Sequence, residues 1–389
     1  MATRTICVAT ATRAEYGLLR WVMRELLDDP AVTLQCLVTG AHLSPTHGST
    51  YRDIERDGFR IDAKVEMLLA SDSEVAIAKA MGLCSIGVAD ALAALRPDIL
   101  VVLGDRYELL PICGAATVMN VPVAHVSGGD ITEGAIDNQV RHGVTKLAHL
   151  HFAGTEESGA RIVQMGEEPS RVFVVGEPGL DNFVRVAPIP RADLARSLGL
   201  APGSRWVIFT YHPETAATIE VDRERVEAAL DALGDLPGVE VMMTYPNADR
   251  GGLELAAMLE ARRAADGRFK LVKSLGQDRF VGLMREAWVM VGNSSAGIVE
   301  APSVRLPSID IGDRQRGRPT APSTLRVDGT KASIAGALAR VDDPAFRAGL
   351  AGCVNPYGDG KAARRIKEVL ATVPLEPLLR KPFHAPDRR

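Results

Sequence analysis

Short runs of valine, isoleucine and leucine alternate along this chain with longer segments whose apolar residues return every three or four positions. Runs near 4–10, 32–38, 60–66, 98–103, 121–126, 150–153 and 171–175 predict strands. Helical periodicity lies between them, clearest at 14–28, 74–95, 108–119 and 136–149. Such alternation builds βαβ units and a mostly parallel sheet. The rhythm breaks at Val186-Ala187-Pro188-Ile189-Pro190 and restarts at Trp206-Val207-Ile208-Phe209-Thr210. Further strands are predicted near 239–243, 269–272, 287–291 and 307–311, with helices at 219–233, 251–265, 277–286 and 295–300. The expected fold is α/β, with two Rossmann-like domains facing a cleft. The first spans 1–187 and the second 195–358. A last helix near 360–371 crosses back, so that 360–389 packs on the first domain.

Composition narrows the class. At 389 residues the chain suits two hydrophobic cores better than one. Its 46% apolar and 24% charged residues are ordinary for a soluble globular protein. A net charge of −4 provides no global basic field for nucleic acid or anionic lipid. An anionic ligand must then be held by local arginines and helix N-termini. No apolar run approaches the roughly 20 residues of a membrane span. The N-terminus enters a strand without the apolar core of a secretory leader. A cytoplasmic location is expected. The five cysteines (Cys7, Cys36, Cys84, Cys113, Cys353) are scattered and form no CxxC pair. Buried thiols are expected rather than a disulfide framework or zinc site.

The chemistry gathers where strands end. The run Ile99–Leu103 ends in Gly104-Asp105-Arg106, and Val121–Val126 ends in Ser127-Gly128-Gly129-Asp130, followed by Glu133, Asp137, Arg141 and His142. Ligands of open α/β sheets bind at this carboxyl edge. So many charges beside buried strands suit acid–base chemistry on a charged substrate. Asp105 is either part of that chemistry or a cap for the next helix. Asp137 and Arg141 share a helix face, as functional partners or as an i, i+4 ion pair.

Other strand ends offer anion contacts. Arg13, after the first strand, offers a guanidinium fork to a diphosphate, or is a surface arginine behind a capping threonine. Ser294 and Ser295 open a helix at Gly292-Asn293-Ser294-Ser295, and Glu300 lies a turn further in, placed to take the hydroxyls of a ribose. Arg314 and Arg318 are stronger contact candidates than Arg316. His212, in Thr210-Tyr211-His212-Pro213, either bonds a phosphate, moves a proton near neutral pH, or is satisfied by backbone. His149 and His151 read as structural, having no acidic partner in ligand spacing. His42 and His47 make a weak metal candidate.

These segments, in this order, resemble the hydrolysing UDP-N-acetylglucosamine 2-epimerases of sialic and legionaminic acid synthesis. The resemblance rests on Thr12–Gly17, Gly104–Glu108, Gly128–Asp130, Asp137–His142, His212-Pro213, Gly292–Ser295 and Gly312–Gln315, and spans about residues 4–360. It implies a GT-B-like fold with the nucleotide in the cleft, and a homo-oligomer. It implies elimination of UDP to a 2-acetamidoglycal, then hydration with inversion at C2, using neither nicotinamide nor metal. The implied substrate is a UDP-linked N-acetylamino sugar: UDP-N-acetylglucosamine, UDP-2,4-diacetamido-2,4,6-trideoxyglucose or a GDP-linked analogue. A GT-B glycosyltransferase and a silent UDP-sugar sensor share the same cleft. Asp105 and Asp137 become the implied catalytic carboxylates, with His212 and Arg141 as polar partners. Arg13, Ser294, Ser295, Glu300 and Arg314 would hold UDP. Many relatives carry a catalytic glutamate where this chain has Ser127. Asp130 or Glu133 is the expected replacement.

Overall fold

The apolar runs become parallel strands in the computed structural model, which describes residues 3–71, 73–132, 136–214, 218–246, 251–273 and 275–385. The chain begins β1 (Arg4–Thr10), α1 (Arg13–Leu27), β2 (Val32–Thr39), α2 (Tyr51–Arg56), β3 (Ala63–Val65), α3 (Glu74–Leu95), β4 (Ile99–Leu103) and α4 (Leu109–Val118). It continues with β5 (Val123–Val126), α5 (Ile136–Leu147), β6 (Leu150–Ala153), α6 (Glu156–Gln164), β7 (Val172–Val174), α7 (Asp181–Arg185) and α8 (Arg191–Leu198). Then follow β8 (Arg205–Thr210), α9 (Ile219–Gly234), β9 (Val239–Thr244), α10 (Gly252–Ala265), β10 (Phe269–Val272), α11 (Gln277–Glu286) and β11 (Val289–Gly292). The last elements are α12 (Ala296–Val299), β12 (Ser308–Ile311), β13 (Thr324–Val327), α13 (Lys331–Asp342), α14 (Pro344–Gly349) and α15 (Ala362–Thr372).

Two compact units result. The first comprises 1–131, 135–181 and 357–389, and the second 132–134 and 182–356. The first holds a seven-stranded sheet in the order β3-β2-β1-β4-β5-β6-β7. Its described pairings are parallel. Both faces are covered, which explains why β4 is wholly buried and reads as an unbroken apolar run. The second unit holds a six-stranded parallel sheet, β10-β9-β8-β11-β12-β13. In each sheet the strand order reverses once, between β1 and β4 and between β8 and β11. A crevice opens outside the carboxyl ends of the strands at such a reversal.

The C-terminal helix α15 belongs to the first unit. Its Ala363, Ile366 and Leu370 join the core built on β1 and α1. Buried Asp181 accepts from the backbone N–H groups of Ala362 (2.9 Å) and Ala363 (3.3 Å), and the Arg4 guanidinium donates to Leu370 O at 2.7 Å. An acid at the helix N-terminus and a base at its C-terminus both match the helix dipole.

Some elements differ from expectation. The segment expected as a helix over 295–300 is only the single turn α12, followed by a 3₁₀ turn over Ala301–Val304. Strand β13 and helices α8 and α13 were not anticipated. Helix α3 is long and apolar enough to cross a membrane by length and composition alone. The expectation of no such segment is corrected on that count. In the fold, α3 buries one stripe, Ala76, Ala80, Cys84, Val88 and Leu92, as a helix laid on a sheet does.

Candidate active site

In the first unit, the loops after β4 and β5 bring the anticipated charges together. Arg141, on α5 and almost wholly buried, donates to the Asp105 carboxylate and, at 2.9 Å, to the backbone carbonyl of Asp130. Asp105 remains about 30% exposed, so it faces the open sheet edge while its charge is balanced from behind. The capping alternative for Asp105 is not what the fold uses: α4 starts after Glu108 without a side-chain cap. Asp137 lies half-buried in the first turn of α5.

Asp130 is engaged differently from expectation. Its carboxylate accepts from the Ser158 hydroxyl at the start of α6. The neighbouring Gly129 carbonyl accepts from Arg161. Asp130 thus anchors its loop to α6. Glu133 lies outside the described residues. The carboxylate beside Ser127 is instead Glu177, whose Oε2 accepts from Ser127 Oγ at 2.7 Å. Glu177 was not singled out from sequence. Its position after β7, at the same edge as the other loops, was the available signal.

His125 sets the floor of this edge. Its Nε2 lies 2.7 Å from Gly104 O, and its Nδ1 lies 3.2 Å from Thr145 Oγ1. Burial pushes its pKa down to about 3. The neutral ring therefore donates from Nε2 to the carbonyl, while the Thr145 hydroxyl beside Nδ1 also donates to Arg141 O at 2.9 Å.

At the β1–β4 reversal, the anticipated diphosphate contact is partly occupied by the chain itself. Thr12 caps α1, and the buried Glu15 reaches back to accept from Ala11 N (2.7 Å) and Thr12 N (3.1 Å). That capping box uses two donors that an anion would otherwise find. Arg13 stays half-exposed with Asp53 at 3.6 Å. Burial raises the Glu15 pKa to about 7, and the nearby Glu108 carboxylate adds to the rise. Glu108 is held by Arg106 at 3.0 Å. Both acids lie within the Thr12–Gly17 and Gly104–Glu108 segments, but neither was singled out as a site residue.

In the second unit, the β8–β11 reversal joins two loops through one side chain. Asn293, fully buried, accepts from His212 N at 2.7 Å and donates to His212 O at 2.8 Å. Gly292 permits the approach: its φ is +136°, and a Cβ there would lie 1.9 Å from Thr210 O. Asn293 is therefore used to pin the His212 loop rather than to meet a ligand. Its own carbonyl accepts from Gln315 (2.8 Å) and Arg314 (3.2 Å). The buried Glu214 fixes the other side of the arginine loop. It accepts from Arg225 at 2.9 Å and from the backbone N–H groups of Asp313 and Arg314.

His212 has its pKa pushed down to about 3, first by burial and then by the Arg314 charge. In this state it is neutral at pH 7. The half-buried Arg314 and His212 thus face one edge with a cation and a neutral imidazole. Ser294 Oγ accepts from Ala296 N at 3.3 Å, and Ser295 sits at the N-cap of α12. Glu300 is half-buried, and burial lifts its pKa to about 7. Arg316 is exposed, with Asp313 at 3.8 Å.

Two further histidines are explained by packing. His42 is fully buried between the Thr10 and Thr50 hydroxyls, at 3.1 and 2.8 Å, and burial lowers its pKa to about 4. Buried His151 pairs with Glu167 at 3.0 Å, an acid 16 residues further along the chain. Among the described residues no group of three His, Cys, Asp or Glu is placed to hold a metal ion.

Two parallel α/β units with polar carboxyl edges make a GT-B-like fold. A model of the UDP-N-acetylglucosamine 2-epimerase family matches residues 24–371. The chain belongs to that family and is an enzyme of its hydrolysing type. It is 38% identical over 319 residues to a GDP/UDP-N,N'-diacetylbacillosamine 2-epimerase (hydrolyzing) of Campylobacter jejuni, covering 82% of this chain and 83% of the relative. It is 33% identical over 376 residues to a UDP-N,N'-diacetylbacillosamine 2-epimerase (hydrolyzing) of Legionella pneumophila, covering 96% and 97%. The fold is shared with a Neisseria meningitidis UDP-GlcNAc 2-epimerase solved with UDP-GlcNAc. That likeness has a TM-score of 0.73 at 18% identity and covers 94% of this chain and 99% of the other.

Proposed function

We propose that this enzyme converts a UDP-linked 2-acetamido sugar into UDP and the free, C2-inverted sugar through a 2-acetamidoglycal. The observation that carries the reading is the Arg141-backed Asp105 at the open edge of the first sheet. A C2 proton is a very weak acid, so a lone carboxylate removes it slowly. If cleavage of the C1–O bond runs ahead, C1 gains cationic character and the C2 proton becomes labile. Carboxylates then stabilise the cation, while donors stabilise the departing diphosphate. Asp105 and Asp137 take the carboxylate roles in this reading. Arg141 balances the Asp105 charge from its buried side and holds the carboxylate in place.

The second unit takes the nucleotide. Arg314 and a neutral His212 donate to the diphosphate, Ser294 and Ser295 add hydroxyl donors, and Glu300 accepts from the ribose. Arg13 is the one anion contact assigned to the first unit. The two most informative relatives are named for N,N'-diacetylbacillosamine substrates, which favours UDP-2,4-diacetamido-2,4,6-trideoxyglucose over UDP-N-acetylglucosamine. The test is incubation with each nucleotide sugar alone, followed by NMR of the products. UDP and a free manno-configured sugar are expected, most rapidly from the 2,4-diacetamido substrate. Strict dependence on an added acceptor would identify a glycosyltransferase instead.

A further inference from the structure

Ser127 follows β5 directly with a φ of +60°, a left-handed backbone that strains a residue bearing a Cβ. Its N–H donates to Phe152 O at 2.8 Å, and its Oγ donates to Glu177 Oε2 at 2.7 Å. Glu177 enters from the loop after β7, where its own N–H donates to Tyr357 O at 2.7 Å. Gly154, just past β6, makes room for the carboxylate: a Cβ there would lie 2.0 Å from Glu177 Oε1. Three neighbouring strand ends thus contribute a strained serine, a missing side chain and an anchored carboxylate. Ser127 and Glu177 are both half-exposed, so the pair lies open at the sheet edge.

A hydroxyl has one proton to donate and two lone pairs to offer. With its proton directed at Glu177, Ser127 Oγ meets any further partner as an acceptor. It suits the O–H of a water, not a C–H bond. We propose that Ser127 and Glu177 form a relay that activates the water added to the sugar, with Ser127 touching the water and Glu177 acting through it as a positioning residue. This rests on the 2-epimerase reading and its glycal route. In the hydration step, C2 takes a proton from the site's other acid, using the C1=C2 electron pair. The water oxygen then bonds to C1. Its proton passes to Ser127 Oγ as the serine proton passes to Glu177 Oε2. The resulting carboxylic acid returns that proton to solvent after the sugar leaves.

The experiment compares products from the full-length protein and two variants, using the nucleotide sugar that the wild type consumes. Ser127→Gly removes the hydroxyl and relieves the positive φ. Glu177→Gln keeps an acceptor for the serine proton but loses the carboxylate's basicity. UDP release by both variants is expected to stay within about tenfold of wild type. Free-sugar formation should fall roughly 100-fold, the scale of a positioned acid–base group. NMR should then show the glycal as the main product. Restoration of free sugar in Glu177→Ala by added formate would support the relay, because a purely structural carboxylate would not be replaced in that way. A wild-type ratio of glycal to free sugar in both folded variants would overturn it. So would equal losses of UDP release and free sugar, since the pair would then act before hydration. A wild type that releases no UDP would instead refute the 2-epimerase reading itself.

Discussion

Replacing Asn293 by alanine tests how the second unit holds His212. The amide makes two hydrogen bonds to one backbone residue, at 2.7 and 2.8 Å, and is itself fully buried. Each such bond contributes about 0.5–1.5 kcal/mol net, and a partner left unsatisfied away from water costs about 1–3 kcal/mol. Removing the amide therefore costs roughly 2–4 kcal/mol, allowing for partial rehydration of the His212 loop. Arg314 and Gln315 bond the Asn293 backbone carbonyl, which alanine keeps, so the arginine loop should be disturbed less. Thermal and urea unfolding measure the stability loss, and calorimetry measures UDP affinity. UDP binding is expected to weaken by at least tenfold, since a freed His212 loop must be ordered again on binding. An unchanged melting temperature together with unchanged UDP affinity would refute the assignment of Asn293 as the pin between the two loops.

Asp105→Asn and Asp137→Asn should leave the fold and most UDP affinity intact while lowering turnover roughly 100-fold or more, as steady-state UDP release would show. Acid should unfold the first unit early. His42 and His149 have folded pKa values near 4 and His125 near 3, all pushed down chiefly by burial from the ordinary 6.5. The unfolded chain binds these protons first, so stability is complete above about pH 6.5 and falls as pH drops toward the folded values. At about 1.4 kcal/mol per group per pH unit, the three remove roughly 4 kcal/mol by pH 5.5, partly offset by Glu15, whose raised pKa near 7 gains stability as pH falls; urea titration across that range measures the net loss. Lys381→Met should destabilise the first unit by about 1–3 kcal/mol. The ammonium donates to the α5 carbonyl of Lys146 at 2.6 Å and pairs with Glu167 at 2.8 Å, so thermal unfolding should register its loss.

Much of the fold was legible because fully buried parallel strands leave unmistakable runs. β1 and β6 and helices α3 and α11 lie where the pattern places them, each bounded by a polar or turn-forming residue. β13 escaped because it is four residues long, sits at the sheet edge and is half-exposed, so it carries no continuous apolar run. α13 escaped because alanine, glycine and serine blur its periodicity. The site was legible as a polar load at strand ends, but its pairings were not. Asp105 and Arg141 are 36 residues apart, Ser127 and Glu177 are 50 apart, and His212 and Asn293 are 81 apart. Those separations are closed by strand order, which a local pattern does not encode. Asn293 shows the consequence: its sequence context looked like ligand contact, and the fold uses its amide to hold backbone.

The glycal route is tested most directly by the fate of the C2 hydrogen. Elimination removes it and hydration supplies a new one from solvent. When the enzyme turns over its nucleotide sugar in D2O, without acceptor, the released sugar should be inverted at C2 and carry one deuterium there by NMR and mass spectrometry. A free sugar that keeps its substrate hydrogen at C2 would contradict the account, because its C1–O bond would have been cleaved without the C2 proton ever leaving.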